Sequence, residues 1–136
     1  MIDRIVLFTG GIETLSFFTL QLEREFGRRG YRTFCFELDK ESKSFVELLE
    51  FVVPGQTVAV SFNFNGCSGE DSMYDKNNIN FFEYMQVPFF NIVVDHPLYY
   101  HKFIPYLPKD YTQLSIDKEH EEYLKRFFPD IKRGPF

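Results

Sequence analysis

The sequence predicts an α/β protein, a doubly wound three-layer sandwich built on a five-stranded parallel sheet of order 3-2-1-4-5. Two observations support this prediction. Short runs of apolar, β-branched and aromatic residues alternate along the chain with segments whose apolar residues recur at helical spacing. The run from Phe89 to Val94 is apolar except at Asn91, which is typical of a strand buried on both faces of a parallel sheet.

Five segments have the composition of buried strands. Each ends in, or is followed at once by, a glycine, an asparagine or an acidic residue. We predict strands at residues 4–9, 31–37, 57–62, 89–94 and 111–116.

Four segments between and after these strands have helical periodicity, at about residues 12–29, 39–51, 79–85 and 118–128. The first has one apolar stripe with spacings of 3, 4 and 4, formed by Leu15, Phe18, Leu22 and Phe26. Gly30 follows this helix, and we expect it to end the helix by adopting the left-handed conformation. We therefore expect the apolar stripe of this helix to face the sheet.

The connections carry helix caps and one long loop. We expect Asp117 to cap the last helix, and either Asp39 or Ser42 to cap the second. Residues 67–78 are polar, have neither helical nor strand periodicity and exceed ordinary loop length. This makes the segment a candidate mobile lid or binding loop.

The predicted strand order indicates where a ligand would bind. In order 3-2-1-4-5 the first and fourth strands are neighbours at the topological switch point, where open α/β sheets bind ligands beyond the carboxyl ends of their strands. Gly10–Gly11 and Asp95–His96 would then line one crevice. Its rim would carry Asn63, Asn65 and Asp117.

Length and charge restrict the class of protein. With 136 residues the chain forms one domain, and with a net charge of -5 it offers no positive field for nucleic acid or an anionic membrane. No apolar run approaches membrane-spanning length and the N-terminus lacks a signal-peptide layout, so we expect a cytoplasmic protein. Cys35 and Cys67 have no CxxC spacing, and the sequence indicates neither a disulfide nor a zinc site.

The residues after the fourth strand are the catalytic candidates. Asp95 and His96 have the chemistry of a base and its electrostatic partner, or of hydrogen-bonding groups for sugar hydroxyls. Tyr99 and His101 follow them as candidate ligand contacts. A purely structural role remains open, in which Asp95 caps the next turn and His96 packs against a nearby tyrosine.

The other candidates have weaker patterns. Gly10 and Gly11 would let a phosphate or sugar approach the backbone, or would only form a tight turn, since the dinucleotide fingerprint lacks its third glycine. Asn63 and Asn65 suit hydroxyl recognition but also occur in turns. A metal site built from all three histidines lacks ligand spacing, so we expect neither a metal nor a cofactor.

Residues 90–101 (FNIVVDHPLYYH) and 111–129 (YTQLSIDKEHEEYLKRFFP) resemble the N-terminal domain of bacterial glycosyltransferase-like proteins, including those similar to spore maturation glycosyltransferases. The resemblance implies a two-domain glycosyltransferase-B architecture. In it a Rossmann-like N-terminal half holds the acceptor, and a C-terminal half binds the nucleotide-sugar. The sequence ends where that family would continue into the second half, so we expect either a fragment or a free-standing relative that has lost transfer activity, and in both cases no turnover by the chain alone.

Two further functions fit the sequence. One is a single-domain, flavodoxin-like protein that binds a nucleotide or phospho-ligand. The other is a non-catalytic interaction module whose 18 Phe and 8 Tyr pack against a partner or a second copy. The partners we expect are thus a sugar or nucleotide-sugar, and a missing C-terminal domain or a second copy of this chain.

Overall fold

A computed structural model describes residues 1–136, and its centre is one sheet of six parallel strands in the order β2-β1-β3-β4-β5-β6. The strands are β1 Arg4–Thr9, β2 Arg32–Glu37, β3 Thr57–Phe62, β4 Phe89–Val93, β5 Tyr111–Ser115 and β6 Lys132–Pro135. The α/β class and the parallel sheet are confirmed. The five predicted strands lie within one residue of their predicted bounds.

The predicted strand order 3-2-1-4-5 is wrong, because β3 pairs with β1 and separates it from β4. The connection that leaves β2 crosses β1 and returns on its far side. Hydrophobic periodicity identifies a strand but carries no signal for the side on which a crossover returns. The switch point therefore lies between β1 and β3, and the prediction that β1 and β4 are neighbours fails.

The sixth strand is absent from the sequence prediction. β6 pairs with β5 in parallel, Thr112 opposite Lys132 and Leu114 opposite Gly134. Its sequence, Lys-Arg-Gly-Pro, has no β-branched or aromatic residue. Glycine and proline are tolerated here because β6 is an edge strand with one neighbour.

The helices are α1 Glu13–Arg28, α2 Glu41–Phe51, α3 Phe81–Tyr84 and α4 Lys118–Phe127. Three-ten turns occupy Leu38–Lys40 and Asp71–Met73, and a longer three-ten segment runs from Pro97 to Tyr106. None of the helices has both the length and the apolar composition needed to cross a bilayer.

One of the two predicted caps is confirmed. Asp117 accepts the main-chain N–H of Glu119 at 2.8 Å and caps α4. Neither Asp39 nor Ser42 caps α2, because Asp39 belongs to a three-ten turn and Lys40 occupies the capping position without a side-chain bond.

The main core lies on one face of the sheet. Sixteen buried residues form a single cluster there, with contributions from α2, α3, α4 and the long three-ten segment. The Phe8 ring lies 5.8 Å from Phe36, 5.9 Å from Phe82 and 6.0 Å from Phe89. Phenylalanine therefore fills most of the core volume on this face.

The opposite face is covered by α1 alone, which packs on β1, β2 and β3. Its buried cluster has only Leu15, Phe62 and Ile92. The predicted stripe of α1 is correct at Leu15, but the side chain of Phe18 is 43% exposed. No helix lies beyond Phe18 on this face, so the stripe reaches the edge of the covered area.

The two cysteines are free thiols. Burial, followed by the nearby carboxylate of Glu23, raises the pKa of Cys35 to about 12. Burial likewise raises the pKa of Cys67 and of Tyr111 well above their ordinary values. All three groups thus hold their protons more tightly in the folded protein than in the unfolded chain.

Gly66→Ala should destabilise the protein by about 3 kcal/mol. Gly66 has φ +86°, and a Cβ there would lie 2.4 Å from the ring of the buried Phe8. Gly55→Ala is the matched control, since Gly55 has φ +84° but no atom within 4 Å of that position. Urea unfolding should show a clearly larger loss at Gly66, and equal losses would show that the contact with Phe8 is not tight.

The free energy of unfolding should fall as the pH rises above the ordinary thiol pKa of 9.0. Above that pH the unfolded chain releases thiol protons that the folded protein retains, which favours unfolding. Urea titrations at a series of alkaline pH values measure this slope. Cys35→Ala should make the slope shallower, and an unchanged slope would contradict the assignment.

Candidate functional site

Asn63 joins the carboxyl ends of β3 and β4. Its Nδ2 donates to Oδ2 of Asp95 at 3.1 Å, and its Oδ1 accepts the main-chain N–H groups of Val94 at 2.7 Å and Asp95 at 3.0 Å. Asn63 is buried and has φ +45°, a left-handed conformation that asparagine adopts more readily than most residues. The exposed carboxylate of Asp95 is thereby held at the end of an interior strand.

Asn91, which is fully buried, connects β4 with the loop after β3 and with β5. Its Oδ1 accepts the N–H of Phe64 at 3.0 Å, and its Nδ2 donates to the hydroxyl of Tyr111 at 2.8 Å. The hydroxyl of Tyr111 in turn donates to Gln113 at 3.2 Å. This accounts for the one polar residue in the apolar run of β4, because its amide satisfies buried groups on both neighbouring segments.

An aromatic stack adjoins Asp95. The rings of Phe64 and Tyr100 lie 4.4 Å apart with an interplanar angle of 20°. Burial, and next the carboxylate of Asp95, raise the pKa of Tyr100 above its ordinary value. The Tyr100 hydroxyl is therefore protonated near neutral pH and able to donate.

The three histidines gather around Tyr123 of α4. The His96 ring centroid lies 5.2 Å from that of His120 and 5.2 Å from that of Tyr123, and His101 bonds to the Tyr123 hydroxyl. Their convergence was not predicted. No group of three or more histidine, cysteine or acidic side chains has an arrangement that could hold a metal ion.

His96 also caps the segment that follows it. Its Nδ1 accepts the N–H of Leu98 at 3.1 Å. In the neutral ring the proton is then on Nε2, so this histidine presents a donor rather than a base at its other nitrogen. Asp95 is the better candidate for a base.

The remaining predicted ligand contacts are spread along the same edge. Tyr99 is 76% exposed, and the structure records no ring partner or side-chain hydrogen bond for it. Asn65 is half-buried, and its main-chain carbonyl accepts the hydroxyl of Ser61 at 2.6 Å. Contact of either residue with a ligand stays a prediction.

Gly10 and Gly11 follow β1 with φ values of +99° and +74°. The N–H of Gly10 donates to Ser16 at 2.9 Å, and a Cβ on Gly10 would lie 3.0 Å from Oδ2 of Asp39. Asp39 and the first-turn residue Glu13 place negative charge at this end of α1. The surroundings therefore disfavour a phosphate at this turn.

A cleft of about 400 Å³ opens between the segments that leave the carboxyl ends of β3 and β4. One wall belongs to residues 69–78 and the other to residues 102–106. We call it the edge cleft. Three aromatic side chains line it, Tyr74, Phe103 and Tyr106, together with polar groups from both walls. A few polar groups around an aromatic lining, in a volume of a few hundred Å³, are typical of small-ligand sites.

The carboxylates of the edge cleft differ in how many hydrogen bonds they already accept from the protein. Both oxygens of Glu70 accept bonds, from the N–H groups of Gly66 at 2.7 Å and Ser68 at 2.9 Å. Asp75 accepts through Oδ1 only, from Asn77 and Ile79. The structure records no side-chain bond for Asp71, so Asp71 and Oδ2 of Asp75 are free to accept from a ligand.

The long loop predicted as a candidate lid is tied to the body of the protein. Cys67 and Met73 are buried in the core, and Ser72 donates from both its N–H and its hydroxyl to Glu41 of α2. Asn80 holds the carbonyl of Gly66 at 3.0 Å. The segment thus forms a fixed wall of the edge cleft.

Sequence reasoning missed the aromatic residues of the edge cleft. The available signal was composition, because residues 97–110 lack periodicity yet contain three tyrosines and one phenylalanine, and residues 67–78 contain one tyrosine among polar and charged residues. Such a pattern marks exposed aromatic side chains in loops, but it does not show that the two loops face each other.

Comparison of the chain with protein-family models, with curated proteins and with solved structures found no match. The assignment of a function therefore rests on the edge cleft, on the groups around Asp95 and on the sequence motifs.

Asn91→Leu should destabilise the protein by about 2 kcal/mol, because the buried N–H of Phe64 loses its acceptor while side-chain volume is retained. Asn65→Leu is the matched control, since no hydrogen bond of the Asn65 side chain is recorded and it is only half-buried. Urea unfolding of both variants measures the difference. A loss at Asn91 no larger than that at Asn65 would contradict the proposed role of the amide.

Proposed function

We propose that this protein binds a sugar through the edge cleft, as the N-terminal, acceptor-side domain of a glycosyltransferase-like protein that is inactive without its donor-binding half. The observation that carries the proposal is the combination of three aromatic side chains with unpaired carboxylate oxygens in one cleft. Aromatic faces pack against the apolar C–H face of a pyranose ring, and carboxylates accept hydrogen bonds from its hydroxyl groups. The motifs at residues 90–101 and 111–129 support the same class of protein.

Charge favours a neutral ligand in the edge cleft. Three carboxyl residues line it, Glu70, Asp71 and Asp75, against the single cation of Lys102. The Lys102 ammonium lies 4.9 Å from the centroid of the Phe103 ring and is partly engaged there. A diphosphate would be repelled by this balance, whereas an uncharged sugar would not. We therefore assign the acceptor sugar, rather than a nucleotide-sugar, to this cleft.

Asp95 is the candidate base in this scheme. Its carboxylate is exposed and fixed by Asn63 at the same carboxyl edge of the sheet, outside the lining of the edge cleft, and the proposal gives it the proton that an acceptor hydroxyl extending beyond the cleft loses on attacking a donor sugar. In that architecture the donor sugar and its leaving group belong to the donor-binding half, so the acceptor-side groups bind and orient the acceptor without completing a transfer.

The nucleotide-binding alternative has less support. Its phosphate would occupy the Gly10–Gly11 turn, and Asp39 and Glu13 place negative charge there. The first turn of α1 contains no basic side chain that would offset this negative charge.

Titration with a panel of neutral mono- and disaccharides, nucleotides and nucleotide-sugars, followed by amide NMR shifts, tests the proposal. Neutral sugars should shift residues 69–78 and 102–106. Tyr106→Ala and Asp71→Asn should each weaken binding by about tenfold, since each removes one stacking or hydrogen-bonding contact worth about 1.4 kcal/mol.

Tyr84→Ala is the matched control, because Tyr84 is 76% exposed but does not line the edge cleft. It should bind the same sugar as the unaltered protein. Shifts confined to residues 10–16 with nucleotides would instead support the phospho-ligand reading, and silence across the panel would overturn both.

A further inference from the structure

The face of the sheet beyond α1 has no covering element. α1 packs on β1, β2 and β3, and the other helices contribute to the core of the opposite face. On the α1 side no other helix covers β4, β5 and β6, and while Ile92 is buried, Phe90 and Leu114 are only half-buried. This is unusual, because parallel sheets are nearly always buried on both faces.

An apolar groove of about 410 Å³ runs along this open area, between α1 and the strands. It is lined by seven hydrophobic residues and one polar one, Gln21, and it contains no charged side chain. Phe62 and Ile92 form its buried floor, and Phe18 and Phe136 form its two sides. We call this surface the α1 groove.

Large apolar side chains project around the α1 groove into solvent. Phe17 is 57% exposed, Phe18 43%, Ile116 54% and Phe136 67%. Phe17 contacts Phe18 edge to face at 5.9 Å, which places it beside the groove. The same surface therefore carries both a hollow and the side chains that could fill one.

We propose that the α1 groove is a self-association surface, through which two copies of this chain form a symmetric dimer. A two-fold interface uses the same patch on both subunits and must be self-complementary. Phe17 and Phe18 of each copy would enter the groove of the other. This proposal is independent of the sugar site, since none of these residues lines the edge cleft.

The size and charge of the patch favour a second copy as the occupant. A whole aromatic side chain has a surface of about 150–250 Å². On that scale the exposed parts of Phe17, Phe18, Ile116 and Phe136, together with those of their half-buried neighbours, amount to about 600 Å² per copy. Specific interfaces begin at about 600 Å² per partner, so the patch is large enough for a dimer of moderate affinity. Because none of the side chains that line the groove is charged, pairing it with itself buries no charged side chain, in spite of the net charge of -5.

Sedimentation velocity of the full chain, from low micromolar to near-millimolar concentration, tests the proposal. The unaltered protein should convert from monomer to dimer within this range. Phe17→Ser and Ile116→Lys should each weaken dimerisation by at least about 30-fold, because central aromatic and aliphatic anchors dominate interface energies. Both side chains are more than half exposed, so neither substitution should prevent folding, and circular dichroism checks this.

Tyr84→Ser is the matched control, an equally drastic change at an exposed aromatic residue of α3 outside the groove. It should leave the dimerisation constant unchanged. A strict monomer at the highest concentration would overturn the proposal and leave the groove to a different protein. A dimer weakened by Tyr84→Ser but not by the groove variants would overturn it as well.

Discussion

Two asparagine amides hold the carboxyl edge of the sheet together. Asn63 and Asn91 each bond across the boundary between the β3 loop and β4, and both are buried. A buried amide left without partners would cost more than the net gain from each bond, so the two segments fit only in one arrangement. The position of Asp95, and of the aromatic stack beside it, follows from these bonds.

The sheet is covered unequally, and this determines what each surface offers. Three helices and a three-ten segment bury a large, phenylalanine-rich core on one face. On the other face α1 stands alone, and apolar side chains are exposed on α1 and just beyond the ends of β5 and β6. The covered face supports the loops that carry polar chemistry, whereas the groove on the other face is lined by apolar side chains except for Gln21. Ligand binding and protein association are therefore assigned to opposite parts of the molecule.

The acidic balance of the chain acts differently at its three candidate surfaces. At the Gly10–Gly11 turn, Asp39 and Glu13 oppose the attraction of the helix end for an anion. In the edge cleft, carboxylates beside aromatic rings suit neutral hydroxyl groups. In the α1 groove there is no charge to oppose contact with a second copy. The acidic residues thus disfavour phosphate binding, but they do not oppose binding of a neutral sugar in the edge cleft or of a second copy at the α1 groove.

Local patterns in the sequence determined the five main strands, the helices and the Asp117 cap, because periodicity and capping depend on residues close in the chain. They also placed Asp95 at the end of an interior strand. Only the tertiary structure decided that β3 lies beside β1 and that β6 joins the edge, since crossover side and edge pairing are set by packing between distant segments. The same reason applies to the bonding of Asn91 and to the edge cleft, whose two walls lie about 30 residues apart in the sequence.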